Sequence, residues 1–190
     1  SCEEISEGYV HECDPTGAKP AQVRPALGAF THEAVAVDPQ RRHLYLTEDR
    51  ADGCLYRFTP AAYPSLETGL LEVACVEPRS QRVAWQPLPN PDPPRARFGR
   101  RRATRKQISN ATRFQGGEGI WYHAGTVFFT TKRDNRVWAL DTDSQRLRCI
   151  YASTTGVLRG VDNLVASGSG RLLIAEDGHE LRVHDVVLLE

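Results

Sequence analysis

The fold is decided by residues 32–58, which read His32-Glu33-Ala34-Val35-Ala36-Val37-Asp38-Pro39-Gln40-Arg41-Arg42-His43-Leu44-Tyr45-Leu46-Thr47-Glu48-Asp49-Arg50-Ala51-Asp52-Gly53-Cys54-Leu55-Tyr56-Arg57-Phe58. Three short β-rich runs stand out: Glu33 to Val37, His43 to Thr47 and Cys54 to Phe58. Asp38-Pro39 closes the first, Asp52-Gly53 precedes the third, and Pro60 stops it. Runs of this length, broken by turn residues, predict a meander of antiparallel strands.

The same grammar returns twice. Gly117-Glu118-Gly119-Ile120-Trp121-Tyr122 leads through Ala124-Gly125 to Thr126-Val127-Phe128-Phe129-Thr130-Thr131, then through Asp134-Asn135 to Arg136-Val137-Trp138-Ala139-Leu140-Asp141. A third copy starts at Val161-Asp162-Asn163-Leu164-Val165-Ala166 and turns at Ser167 to Gly170. It continues with Arg171-Leu172-Leu173-Ile174-Ala175-Glu176-Asp177 and Gly178, then Glu180-Leu181-Arg182-Val183-His184-Asp185. A recurring unit of about 40 residues with three or four strands is the pattern of a β-propeller blade. Glu118 and Asp162 are 44 residues apart, whereas Glu33 and Glu118 are 85 apart. The excess predicts either a degenerate blade over 66–88 or a long insertion. The chain as a whole, 1–190, reads as one partial all-β propeller of three to four blades, with no helical period.

Stacked on one another, the copies place Glu33, Glu118 and the pair Asp162-Asn163 at the head of each first strand. In a propeller that strand lines the central channel, so these side chains are expected to converge at one mouth. Converging carboxylates repel, and the repulsion is relieved by raised pKa values or by a bound cation. Hard oxygen ligands favour calcium or a similar cation. The competing reading is that each acid caps its own strand by accepting turn amides. Glu48-Asp49 and Glu176-Asp177 end the second strands, where metal and turn-capping roles are equally open. His32, beside Glu33, is a candidate supporting partner or proton shuttle. The other five histidines have no distinguishing spacing and read as structural or surface groups.

Lys+Arg and Asp+Glu are both 24, so the chain has no net field to draw nucleic acid or an anionic membrane. No stretch approaches 18 consecutive apolar residues, and no secretory leader pattern opens the sequence. Met is absent, so the sequence reads as a segment of a longer product. The five cysteines include no CxxC pair and leave an odd thiol, which suits structural or unpaired roles. Residues 86–106 form a compositionally distinct insertion with five prolines, then seven Arg and Lys residues from Arg95 to Lys106. Proline at that density excludes a central strand or helix. Phe98 is the lone aromatic among the arginines, so the patch reads as a solvated loop rather than a nucleic-acid or phosphate site. Nucleophile-elbow, P-loop and zincin motifs are missing.

Taken together, Ser1-Cys2-Glu3-Glu4, Phe30 to Pro39, Leu44 to Asp49, Gly117-Glu118-Gly119, Phe128 to Trp138, Val161 to Leu164 and Ala175 to Gly178 resemble the PhoX-type alkaline phosphatase family. The resemblance covers most of the chain outside the insertion, with the motifs in family order. It implies a six-bladed propeller, exported to the periplasm or secreted, with calcium and iron at the axial mouth and phosphate monoesters as substrates. It further implies iron ligation by Cys2 and metal ligation by Glu33 and Glu118, with Glu3, Asp162, Glu176 and Asp177 as further candidates. Such a cluster neutralises phosphate charge. The family resembles itself in an arginine just before the acid equivalent to Glu118. Here Gln115, Gly116 and Gly117 fill that stretch, and Arg113 is the nearest arginine, so Arg113 and Asn163 are the candidate substrate or supporting groups. Three or four blades leave a six-bladed ring incomplete, the rest to come from the remaining chain or another copy. Two alternatives stand beside the phosphatase reading. One is a calcium-dependent, lactonase-like propeller, in which Cys2 has no place. The other is a non-enzymatic metal-binding or scaffolding propeller.

Overall fold

The computed structural model describes residues 1–94, 102–152, 155–156 and 158–177, together with the backbone of 186–189. An N-terminal arm carries β1 (His11–Glu12) paired with β2 (Gln22–Val23) and a single 3-10 turn at Pro25–Leu27. Three antiparallel sheets follow. The first is built from β3 (His32–Asp38), β4 (His43–Glu48), β5 (Leu55–Pro60), β6 (Gly69–Val76) and β7 (Val83–Pro87), in that order across the sheet. The second holds β8 (Gly117–His123), β9 (Thr126–Thr131), β10 (Arg136–Asp141) and β11 (Leu147–Ala152). The third holds β12 (Val161–Ala166), β13 (Leu172–Glu176) and β14 (Val186–Leu189).

Each sheet is an up-and-down meander, and the first strands of the three lie side by side, β3 against β8 and β8 against β12. That is the arrangement of propeller blades around an axis. The β8–β9 connection shows why the local sequence suffices: Ala124 and Gly125 both take positive φ, 44° and 85°. A two-residue turn of that kind matches the strand twist.

Apolar side chains fill the spaces between blades. Tyr45, Leu55, Phe114, Ile120, Phe129 and Leu140 belong to a core shared by the first and second blades. Val137, Leu158, Val161, Leu164 and Ile174 form the core between the second and third. The far face of the first blade packs its Leu46, Tyr56, Phe58 and Val73 against Val10, Leu27 and Phe30 of the N-terminal arm.

The wide gap between Glu33 and Glu118 is explained by the first blade's own outer strands. Residues 66–88 supply β6 and β7 to that blade rather than forming a separate degenerate blade, which leaves three blades among the described residues. The insertion begins inside β7, and its described end is anchored rather than loose. Thr104 and Arg105 lie in a 3-10 turn, Thr104–Lys106, held to the body by side-chain bonds. Residues 95–101, with most of the insertion's arginines, lie outside the described residues. So does the expected last strand Glu180 to Asp185; among the described residues, β14 takes the place beside β13.

Candidate metal centre

Each innermost strand breaks register at the same place. The irregularity falls between His32 and Val35 in β3, between Gly117 and Ile120 in β8, and between Val161 and Leu164 in β12. The residues inside the three bulges are Glu33-Ala34, Glu118-Gly119 and Asp162-Asn163. A bulge adds a residue on one strand and re-aims its side chain. Three equivalent bulges therefore turn three acids the same way. One carboxylate oxygen from each of Glu33, Glu118 and Asp162 lies within 4.8 Å of the others.

Threonines on the second strands hold these bulges together. Thr47 donates to the carbonyl of Glu118 at 2.6 Å and accepts from the amide of Ala34 at 3.2 Å. Thr130, one blade on, donates to the carbonyls of Asp162 and Gly119. One hydroxyl thus ties its own blade's bulge to the next blade's. The next approach is closer still: a Cβ on Gly119 would sit 2.6 Å from the Cα of Asn163 and 2.7 Å from the amide of Leu164. Only glycine allows β8 and β12 to come so near.

The electrostatics follow from this crowding. Burial, then the charges of Glu4, Asp162 and Asp49, push Glu33 up to about 7. Burial, then Asp162, Asp49 and Glu33, push Glu118 up to about 8. Glu4 is raised by burial and by Asp49, with which it shares a hydrogen bond. Lys132 is the balancing cation. Its ammonium donates to Asp162 at 3.0 Å and Asp177 at 2.6 Å, and these bonds outweigh burial and raise its pKa.

Other predicted residues have other partners. Glu3 accepts from the Tyr9 amide at 2.9 Å and faces His11 at 3.2 Å. Cys2 is a half-buried free thiol packed on the first blade's core; burial raises its pKa, and Glu33 adds to the rise. His32 is buried, bonded through Nε2 to the Gly28 carbonyl at 3.0 Å and stacked on Phe30; burial lowers it to about 4. Its Nδ1 has no partner among the described residues. Asn163 is exposed and caps its own bulge by accepting from the Leu164 amide at 2.8 Å. Arg113 donates to Cys54 Sγ at 3.0 Å and to the Arg105 carbonyl at 2.7 Å. Glu176 accepts from the Arg159 amide.

Two acids of one motif have separate fates. Glu48 is fully buried and bonded to Arg105, Tyr56 and the Cys54 amide. Asp49 belongs to the hollow, as the shifts of Glu4, Glu33 and Glu118 show. Lys132 and Glu4 were missed by sequence reasoning. The alignment of Asp49, Lys132 and Asp177 at the ends of the three second strands is the signal that could have found Lys132.

The donors suit a hard cation. Two oxygens on one calcium ion lie at most about 5 Å apart, given bond lengths of about 2.3–2.6 Å. The triad meets that limit. Cys2 lies outside the group these three carboxylates form.

A family model described as "Alkaline phosphatase PhoX" matches residues 2–149, and the chain belongs to that family. Among solved structures it is similar to Pseudomonas fluorescens PhoX in complex with vanadate, a transition-state analogue, with a TM-score of 0.70 and 17% identity. The match covers 95% of this chain and 46% of that one, so the chain spans less than half the length of the solved relative. At that identity the likeness speaks for the β-propeller fold. No curated protein matches the sequence.

Proposed function

From membership of the PhoX family, we propose that the protein is part of a metal-dependent hydrolase of phosphate monoesters, with Glu33, Glu118 and Asp162 as the cation's ligands. The observation that carries this reading is the convergence of three carboxylates from equivalent bulges of three blades. A bound calcium supplies positive charge that attracts a phosphate group and stabilises charge developing on its oxygens. Within the chain, Asp49 and Glu4 add negative charge beside the triad and strengthen its hold on a cation. Lys132 fixes Asp162 and Asp177 and, among the described residues, keeps one N–H for an oxygen in the hollow. Iron is the less supported partner, because it depends on Cys2. The absence of an arginine immediately before Glu118 means that any guanidinium grip on phosphate comes from elsewhere. Exposed Val165 and Leu173 on the third blade suit packing by a further blade, from the rest of the chain or another copy. Export follows from the family alone; no helix among the described residues is long and apolar enough to cross a membrane.

Elemental analysis and turnover of p-nitrophenyl phosphate test the reading together. Bound calcium, with activity lost on chelation and in Glu118→Gln, is the expected result. Full metal occupancy in that variant overturns the ligand assignment. Hydrolysis of lactones but not of the phosphate ester favours the lactonase-like alternative.

A further inference from the structure

We propose that a basic cleft bordering the carboxylate hollow binds a second anionic group of the substrate, so that the preferred esters carry a phosphate and another carboxylate or phosphate. The inference rests on the phosphatase reading above and extends it to substrate class. The cleft has a volume of about 450 Å³, within the range of small-molecule sites. Ser6, Glu7, Thr31, Arg50, Arg102 and Arg105 line it, so three guanidinium groups face one carboxylate.

Those guanidinium groups are not equally committed. Arg105 is neutralised by Glu48 at 3.0 Å and Asp52 at 2.8 Å. Arg50 donates to the hydroxyls of Thr31, at 2.8 Å, and Ser6. Arg102 donates to the Lys106 carbonyl at 3.0 Å. Among the described residues neither Arg50 nor Arg102 makes an ion pair. Two charges balanced only by neutral partners are a standing attraction for an anion. The wall that bears Arg102 is also held in place: Thr104 donates to the Ala29 carbonyl at 2.9 Å, and Arg105 is pinned as above. A cleft held open in this way loses little order on binding.

The two sites share three stretches of chain. Arg50 follows Asp49, Thr31 lies two residues before Glu33, and Ser6 lies two after Glu4. Successive Cα atoms are about 3.8 Å apart, so these three walls of the cleft, though not the one bearing Arg102, lie within about 8 Å of backbone from an acid of the hollow. Three independent passes with this pairing make one compound site, acidic where a cation belongs and basic where an anion belongs.

The test uses the full-length protein, 3-phosphoglycerate, which has the second anionic group, and glycerol 3-phosphate, which lacks it. In chelator the empty hollow repels anions, so calorimetric binding of 3-phosphoglycerate reports the cleft. Binding is expected in the native protein, with affinity lowered about tenfold or more in Arg50→Gln and in Arg102→Gln. Arg102→Gln guards against misfolding, since Arg102 is exposed. With calcium restored, the preference in kcat/KM for 3-phosphoglycerate over glycerol 3-phosphate is expected to shrink in both variants. Absence of binding, equal binding by variants and native protein, or inorganic phosphate binding as tightly as 3-phosphoglycerate with no preference in turnover overturns the inference. Cleft binding without turnover of either ester sinks the phosphatase reading and leaves the cleft standing.

Discussion

Glu118 and Glu33 bear the strain of the site when no cation is present. Their pKa values near 8 and 7 lie above the ordinary 4.5, so the folded metal-free protein holds protons that the unfolded chain has released. Their contribution to stability is complete below pH 4.5 and disappears as pH rises through 7 to 8. The melting temperature in chelator should fall across that window, and Glu118→Gln should flatten the fall while removing calcium binding. A slope unchanged in the variant would show that Glu118 is not a source of it. Calcium affinity should climb through the same window, because each ligand must lose its proton first. Glu48 behaves differently, being a buried structural charge bonded to Arg105, Tyr56 and Cys54. Glu48→Ala strands Arg105 and should cost about 3 kcal/mol in denaturant unfolding, at the lower end for a broken buried pair because Asp52 remains. The triad was legible because its members recur at one repeat position. The divergence of Glu48 from Asp49 was not, since neighbours on a strand face opposite sides and the phase of the strand is invisible without its partners.

At the scale of strands, the device that makes the site is the bulge, repeated in β3, β8 and β12. The sequence shows the strands through alternation and turn pairs, and their order follows from hairpin connections. It conceals the bulges, because an extra residue in one strand is defined only by the register of the other. The excess residues between Glu33 and Glu118 were ambiguous for a similar reason: β6 and β7 have strand chemistry that suits either a new blade or the rim of an old one. Thr47 shows how bulges are locked from outside. Thr47→Val keeps the shape but leaves the Glu118 carbonyl without its buried donor, which should cost about 1–3 kcal/mol by chemical denaturation. Gly119→Ala forces β8 from β12, since the new methyl would meet Asn163 and Leu164 backbone atoms below 3 Å. Overpacking of this kind should cost about 1–3 kcal/mol, and it should weaken calcium binding by parting Glu118 from Asp162. Native calcium affinity in Gly119→Ala would mean that the close approach does not set the triad.

Across the whole molecule, stability is uneven because blades touch only their neighbours. The first blade is covered on both faces, by the N-terminal arm and by the second blade. Among the described residues the third blade contributes the smallest core, and Val165 and Leu173 stay 38% and 37% exposed. Stacked units of this kind open from their weaker end. A cation shared by Glu33, Glu118 and Asp162 would join the first and second blades to the third, because Asp162 sits at the head of β12. Calcium at a hundredfold excess over its Kd should therefore stabilise the folded form by about 2.7 kcal/mol. That gain belongs first to the blade that otherwise opens alone. Amide hydrogen exchange in β12 and β13 should slow by up to about a hundredfold on adding calcium, and exchange in β4 and β5 should slow much less. Uniform slowing would mean that the blades already unfold together. No slowing in β12 would mean that Asp162 does not hold the ion.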